Sequence, residues 1–138
     1  MKIACVGIGA IGGSLAGFIA KEGADIILID EWQEHVDVMN EKGLTLDGIV
    51  GEHNVPVKAI HERQISTIEE KFDLVIIAVK SYETVRAVKS MLTYMKDDTW
   101  VVSPQNSINE LQIAPLVGAS RTIGCITTIS AGLYEPGH

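Results

Sequence analysis

The stretch that decides the fold is Gly7-Ile8-Gly9-Ala10-Ile11-Gly12, read together with its flanks. Before it, Lys2–Ile8 is a mostly apolar run, short enough for a strand buried on both faces. After it, Ile11–Glu22 places Leu15, Phe18 and Ile19 at helical spacing with small residues between them. Asp25–Asp30 is then a second strand, ending on a carboxylate eighteen residues beyond Gly12. GxGxxG alone is weak; between a strand and a helix, with an acidic residue closing the next strand, it reads as a dinucleotide-binding turn. Gly7 permits the tight turn, Gly9 lets backbone approach a diphosphate, and Gly12 lets the helix pack closely on the sheet. The N–H groups and positive dipole end of that helix would face the two phosphates.

Working outward, strand and helix patterns alternate to the end of the chain. Trp32–Lys42 reads as a helix stopped by Gly43. Leu44–Leu46 and Glu52–Ile60 are extended pieces around the Asp47-Gly48 turn signal, and Ser66–Lys71 is a short polar helix or loop. Asp73–Val79 is the clearest strand. Tyr82–Met95 puts Val85, Val88, Met91, Leu92 and Met95 on one helical face. Thr99–Ser103 is a strand, Ile108–Val117 a helix interrupted by Pro115, and Thr122–Thr128 a further strand. The expected fold is α/β: a Rossmann-type doubly wound parallel sheet of about six strands, order 3-2-1-4-5-6, with helices on both faces. Residues 1–138 form one dinucleotide-binding domain on this reading, and the ending Glu135-Pro136-Gly137-His138 looks like a cut.

Composition sets outer limits. Of 138 residues, 46% are apolar and 21% charged, which excludes a disordered chain. A formal charge of −7 argues against nucleic acid or an anionic membrane as partner, while leaving room for a phosphate bound through backbone. Cys5 and Cys125 lie in apolar runs and read as two buried thiols in a reduced compartment. No Cys/His spacing suggests a metal site. His35, His53, His61 and His138 read as solvated. The uncharged run Ile3–Ala20 could suggest a targeting helix, but five glycines interrupt it, so a cytoplasmic protein is the expectation. Asp30 and Glu31 bear on the coenzyme. A carboxylate here can accept from adenosine ribose hydroxyls. No Lys or Arg lies between Lys21 and Lys42 to hold a 2′-phosphate, so NAD is favoured over NADP.

Two later signals, Ala78-Val79-Lys80-Ser81 and Ser103-Pro104-Gln105-Asn106-Ser107, join the glycine turn and the stretch Gly124–Gly137. Together they resemble the N-terminal domain of the ketopantoate reductase (2-dehydropantoate 2-reductase) family over nearly the whole chain. Two departures stand out: Ser107 where the family usually has glycine, and Glu31 near the position of an Arg that serves NADP. The resemblance implies hydride transfer from NAD or NADP to a small 2-keto acid. It implies coenzyme contacts at Gly7, Ile8, Gly9, Ala10, Ile11, Gly12, Asp30, Glu31, Lys80, Asn106 and Ala131. Lys80 would lie near the coenzyme and the active-site mouth, and Asn106 would bond the nicotinamide ribose and the substrate. No catalytic residue is implied in this chain, because the family's proton donor is a Lys in a second, helical domain. The exposed crevice face would then be open to homodimer formation. Two alternatives stay open: a non-catalytic nucleotide-sensing module, and a dehydrogenase for a different keto substrate.

Overall fold

The computed structural model describes residues 1–49 and 51–138. Its core is a six-stranded parallel sheet made of β1 (Lys2–Val6), β2 (Asp25–Asp30), β5 (Lys58–His61), β6 (Phe72–Ile77), β7 (Met95–Ser103) and β8 (Thr122–Gly124). The spatial order is β5-β2-β1-β6-β7-β8. Counted within this sheet, that is the expected 3-2-1-4-5-6. The connection reverses direction between β1 and β6, so a crevice opens where their carboxyl ends part.

The strands are apolar on both faces because both faces are covered. On one side Ala4, Val6, Ile27, Ile29, Val75 and Ile77 meet α3 (Thr84–Met91) and α4 (Glu110–Val117) through Ala87, Val88, Met91, Ile113 and Val117. On the other, Ile3, Cys5, Ile26, Leu28 and Ile76 meet α1 (Ala10–Lys21) and α2 (Gln33–Lys42) through Ala16, Val36 and Met39. A separate antiparallel pair, β3 (Leu44–Leu46) and β4 (His53–Val55), adds Leu44, Leu46 and Val55 to that second core. A Cβ on Gly17 would stand 2.8 Å from Leu46 Cδ1, so this glycine lets the hairpin lie against α1.

Several boundaries differ from the sequence reading, each for a local reason. The extended piece Glu52–Ile60 divides: β4 pairs with β3, and β5 joins the main sheet. Where a short helix or loop is expected at Ser66–Lys71, a 3-10 turn begins earlier and spans Glu62–Thr67, capped by the His61 ring, whose Nδ1 accepts from the Arg63 N–H at 3.0 Å. The helix predicted over Tyr82–Met95 is α-helical only at Thr84–Met91, between 3-10 turns. β7 starts at Met95, because the Thr99 hydroxyl donates to the Phe72 carbonyl and accepts from the Lys96 N–H, both at 2.6 Å. α4 runs through Pro115 to Val117 and stops at Gly118, whose φ is 98°. β8 ends at Gly124, since β7 itself ends at Ser103 and offers no further ladder.

Beyond β8, residues 125–138 form a strap over the carboxyl ends of the strands. The Cys125 N–H donates to the Ser103 carbonyl at 2.8 Å on one side of the sheet. On the other, the Thr45 N–H donates to the Gly137 carbonyl at 2.7 Å. Cys125 is only half-buried, which corrects the expectation of two core thiols. Cys5 is fully buried; burial, helped by the Asp30 charge, pushes its thiol up to about 12. Native protein at about pH 8 should therefore release one equivalent with a thiol reagent, from Cys125, and two once unfolded. Equal native reaction of both would contradict this packing.

Candidate functional site

The glycine turn joins β1 to α1 at the crevice. Gly7 has φ +90°, and a Cβ there would stand 2.7 Å from the Val79 nitrogen. A Cβ on Gly12 would stand 1.9 Å from the Gly7 carbonyl oxygen, so the helix start rests directly on the turn. Gly9 is the N-cap of α1, with no side-chain cap and nothing within 4 Å of a Cβ position. The first-turn N–H groups therefore have neither an intrahelical acceptor nor a cap, and they open beside Gly9. Ile8 behaves differently from its neighbours. Its side chain is buried, its N–H donates to Asp30 Oδ2 at 2.6 Å, and its carbonyl accepts from His35 at 2.9 Å. The backbone polar groups of Ile8 are thus engaged within the fold.

These residues border a cleft of about 620 Å³, within the ordinary range for a small-molecule site. Gly7, Gly9, Ala10 and Ile11 form its floor, Asp30 and Glu31 one wall, Lys80 and Asn106 another, and Ala131 of the strap its rim. All the sequence-predicted positions converge here except Ile8 and Gly12, which face inward and hold the turn. Asp30 also has a structural duty: Oδ1 accepts from the Trp32 N–H at 2.9 Å while Oδ2 holds Ile8. A carboxylate offers about four acceptor positions, so a ribose hydroxyl can still be received. Lys80 is exposed at the end of β6 and has no carboxylate partner among the described residues. Asn106 is exposed on the cleft; its carbonyl accepts from Asn109 Nδ2 at 2.7 Å and from the Ser81 hydroxyl at 3.2 Å.

Gln105 locks the two walls together. Its Nε2 donates to the Val79 carbonyl at 2.7 Å and to Thr84 Oγ1 at 2.8 Å, and its Oε1 accepts from Ser103 Oγ at 2.9 Å. Ser107, the next residue but one, has φ 79°, a left-handed conformation that favours glycine.

A model of the family described as ketopantoate reductase PanE/ApbA matches residues 3–138. The chain belongs to the ketopantoate reductase family. Within that family it is 43% identical over 138 residues to the 2-dehydropantoate 2-reductase of Pyrococcus abyssi, covering 99% of this chain and 43% of the relative. The chain thus spans a little over two-fifths of the length of such relatives. Among solved structures, 2-dehydropantoate 2-reductase from Geobacter metallireducens superposes with TM-score 0.85 at 26% identity, over 99% of this chain and 44% of that one. A D-mandelate dehydrogenase in ternary complex with NADH and anilino(oxo)acetate superposes with TM-score 0.86 at 28% identity, over 99% and 44%.

Two features of this ketopantoate reductase family chain escape a reading of the sequence. His35 and His61 are buried, not solvated. The His35 Nδ1 accepts from the Gly137 N–H at 2.8 Å while Nε2 faces the Ile8 carbonyl, which fixes a neutral ring protonated on Nε2. It ties the glycine turn to the strap, with the Trp32 ring stacked on it. The spacing His35–Met39, one helical turn, is the signal that would have placed it inward. The second feature is Arg86 of α3, which lines the cleft beside Glu31. The local run between Lys21 and Lys42 has no cation, as read, but the fold delivers one from a distant helix. Among the described residues, no group of three His, Cys, Asp or Glu is placed to hold a metal, and no helix is long and apolar enough to cross a membrane.

Proposed function

We propose that residues 1–138 are the coenzyme-binding domain of a cytoplasmic oxidoreductase, which moves hydride from NADH or NADPH to a 2-keto acid such as 2-dehydropantoate. The observation that carries this is the uncapped first turn of α1, open to the cleft at Gly9 where no side chain intervenes. Those N–H groups and the helix dipole suit a diphosphate, and they make an acidic protein locally attractive to an anion. The coenzyme, when bound, supplies the hydride. Lys80 adds a positive charge beside the anionic ligands, and Asn106 hydrogen-bonds the nicotinamide ribose and the substrate, fixing their relative orientation. Gln105 keeps those two residues at a constant separation. Ala131 contributes backbone contact from the strap. The proton donor and most substrate contacts belong to a helical domain outside residues 1–138. Tyr82 and Ile129 are exposed in the lining of the cleft, which suits cover by that domain or by a second copy. The D-mandelate dehydrogenase likeness supports a second reading, the same chemistry on a different 2-keto or 2-hydroxy acid.

Calorimetric titration with NADH and NADPH tests the proposal. At least one coenzyme should bind with one-to-one stoichiometry, and Lys80→Ala and Asn106→Ala should each weaken it. Turnover of 2-dehydropantoate by the 138-residue chain should stay at background. Absence of heat with both coenzymes would overturn the reading.

A further inference from the structure

The wall of the cleft next to β2 holds an unusual charge arrangement. Arg86 reaches it from α3, and every nitrogen of its guanidinium meets a different carboxylate. Nη1 contacts Glu62 Oε2 at 2.6 Å, Nη2 contacts Glu31 Oε2 at 3.3 Å, and Nε bonds Glu83. Glu62 opens the 3-10 turn after β5, Glu83 precedes α3, and Glu31 follows β2, so three separate segments converge on one cation. The hydrogen bonds that Arg86 donates to Glu62 and Glu83 push it further above its already high ordinary value. One positive and three negative charges leave the cluster net negative, and Asp30 stands beside it on the same wall. Lys80, the cleft's other cation, has no acidic partner among the described residues.

Resting on the coenzyme reading above, we propose that this carboxylate cage around Arg86 is the device that selects against a 2′-phosphate. The ribose of a bound adenosine lies near the carboxylate that ends β2, which brings its 2′ position to the Glu31 side of the cleft. An arginine facing that position ordinarily attracts the phosphate by a bidentate contact. Here each of its three nitrogens already holds a carboxylate and its charge is more than cancelled, so an added dianion meets repulsion. Glu62 and Glu83 act through Arg86 and need not touch the coenzyme. Arg86 is accordingly a latent phosphate ligand, and the acids around it set its availability.

The test compares dissociation constants for NADH and NADPH in the 138-residue protein and two variants. Wild type should bind NADH at least about tenfold more tightly than NADPH. Glu62→Gln with Glu83→Gln should tighten NADPH about tenfold and move NADH less than about twofold, roughly the size of one freed charge-assisted contact. Adding Arg86→Gln to that pair should remove the gain, which distinguishes Arg86 from Lys80 as its source. In wild type, raising salt from about 0.05 to about 0.5 M should narrow the NADH-to-NADPH ratio, a readout independent of how the variants fold. If NADH binds but the double variant leaves the ratio unchanged, or the gain survives loss of Arg86, the cage is not the selector. If neither coenzyme binds wild type, it is the coenzyme reading that fails.

Discussion

Alanine at Gly9 should cost this protein its coenzyme and leave its fold alone. The backbone there has φ −75°, which alanine adopts freely, and a Cβ would meet nothing within 4 Å. Loss of a glycine N-cap and gain of chain stiffness oppose each other, so stability should move by less than about 1 kcal/mol. The new methyl group would occupy the space through which a diphosphate approaches the first-turn amides. Losing one or two charge-assisted hydrogen bonds corresponds to about 2–4 kcal/mol, or roughly 30- to 1000-fold in affinity. Gly12→Ala should do the opposite at the level of cause. Its Cβ would lie 1.9 Å from the Gly7 oxygen, and backbone would have to move. A loss of about 3 kcal/mol or more is expected, with binding lost as a consequence of the displaced helix. Urea denaturation and NADH titration on both variants would separate the two cases. Equal destabilisation of both would show that the Gly9 space is not the open seat described here.

His35→Leu should be the most damaging change outside the glycine turn. The ring is buried and makes two hydrogen bonds, to the Ile8 carbonyl and from the Gly137 N–H. Leucine fills the volume but leaves both backbone groups without partners, at about 1–3 kcal/mol each. A lower urea midpoint, equivalent to about 2–4 kcal/mol, is the expected result. Amide hydrogen exchange in residues 125–138 should rise well beyond its rise in β1 or β6, because only the strap loses its anchor. His35→Gln, which can donate and accept, should recover part of the loss. Uniform exchange across the protein would show that His35 is a packing residue and not a tether.

The parallel sheet was legible because its strands obey one rule throughout. Ile3, Cys5 and Ala4, Val6 go to opposite cores, so a continuous apolar run is what two-sided burial requires. The glycine turn was legible because Gly7 and Gly12 each answer a steric demand of the fold, while Gly9 leaves open space at the helix start. Contacts between distant residues were not. Nothing near Glu31 announces that Arg86, fifty-five residues on, will sit against it. His35 lies between Glu34 and Val36 in a polar stretch, and only the helical face it shares with Met39 betrays its direction. The early start of β7 depends on one threonine hydroxyl bridging to β6, a contact that no local propensity encodes.

The place of β1 in the middle of the sheet has a cost during synthesis. Its first neighbour, β2, emerges soon after it, but its other neighbour is β6, and the Lys2 N–H finally meets Asp73 71 residues later. At a translation speed of about 5–20 residues per second, that gap is roughly 4–14 s. For that time a strand of Ile3, Ala4, Cys5 and Val6 has one open edge and one uncovered face. The nascent chain therefore carries this apolar strand with an unpaired edge for seconds during synthesis.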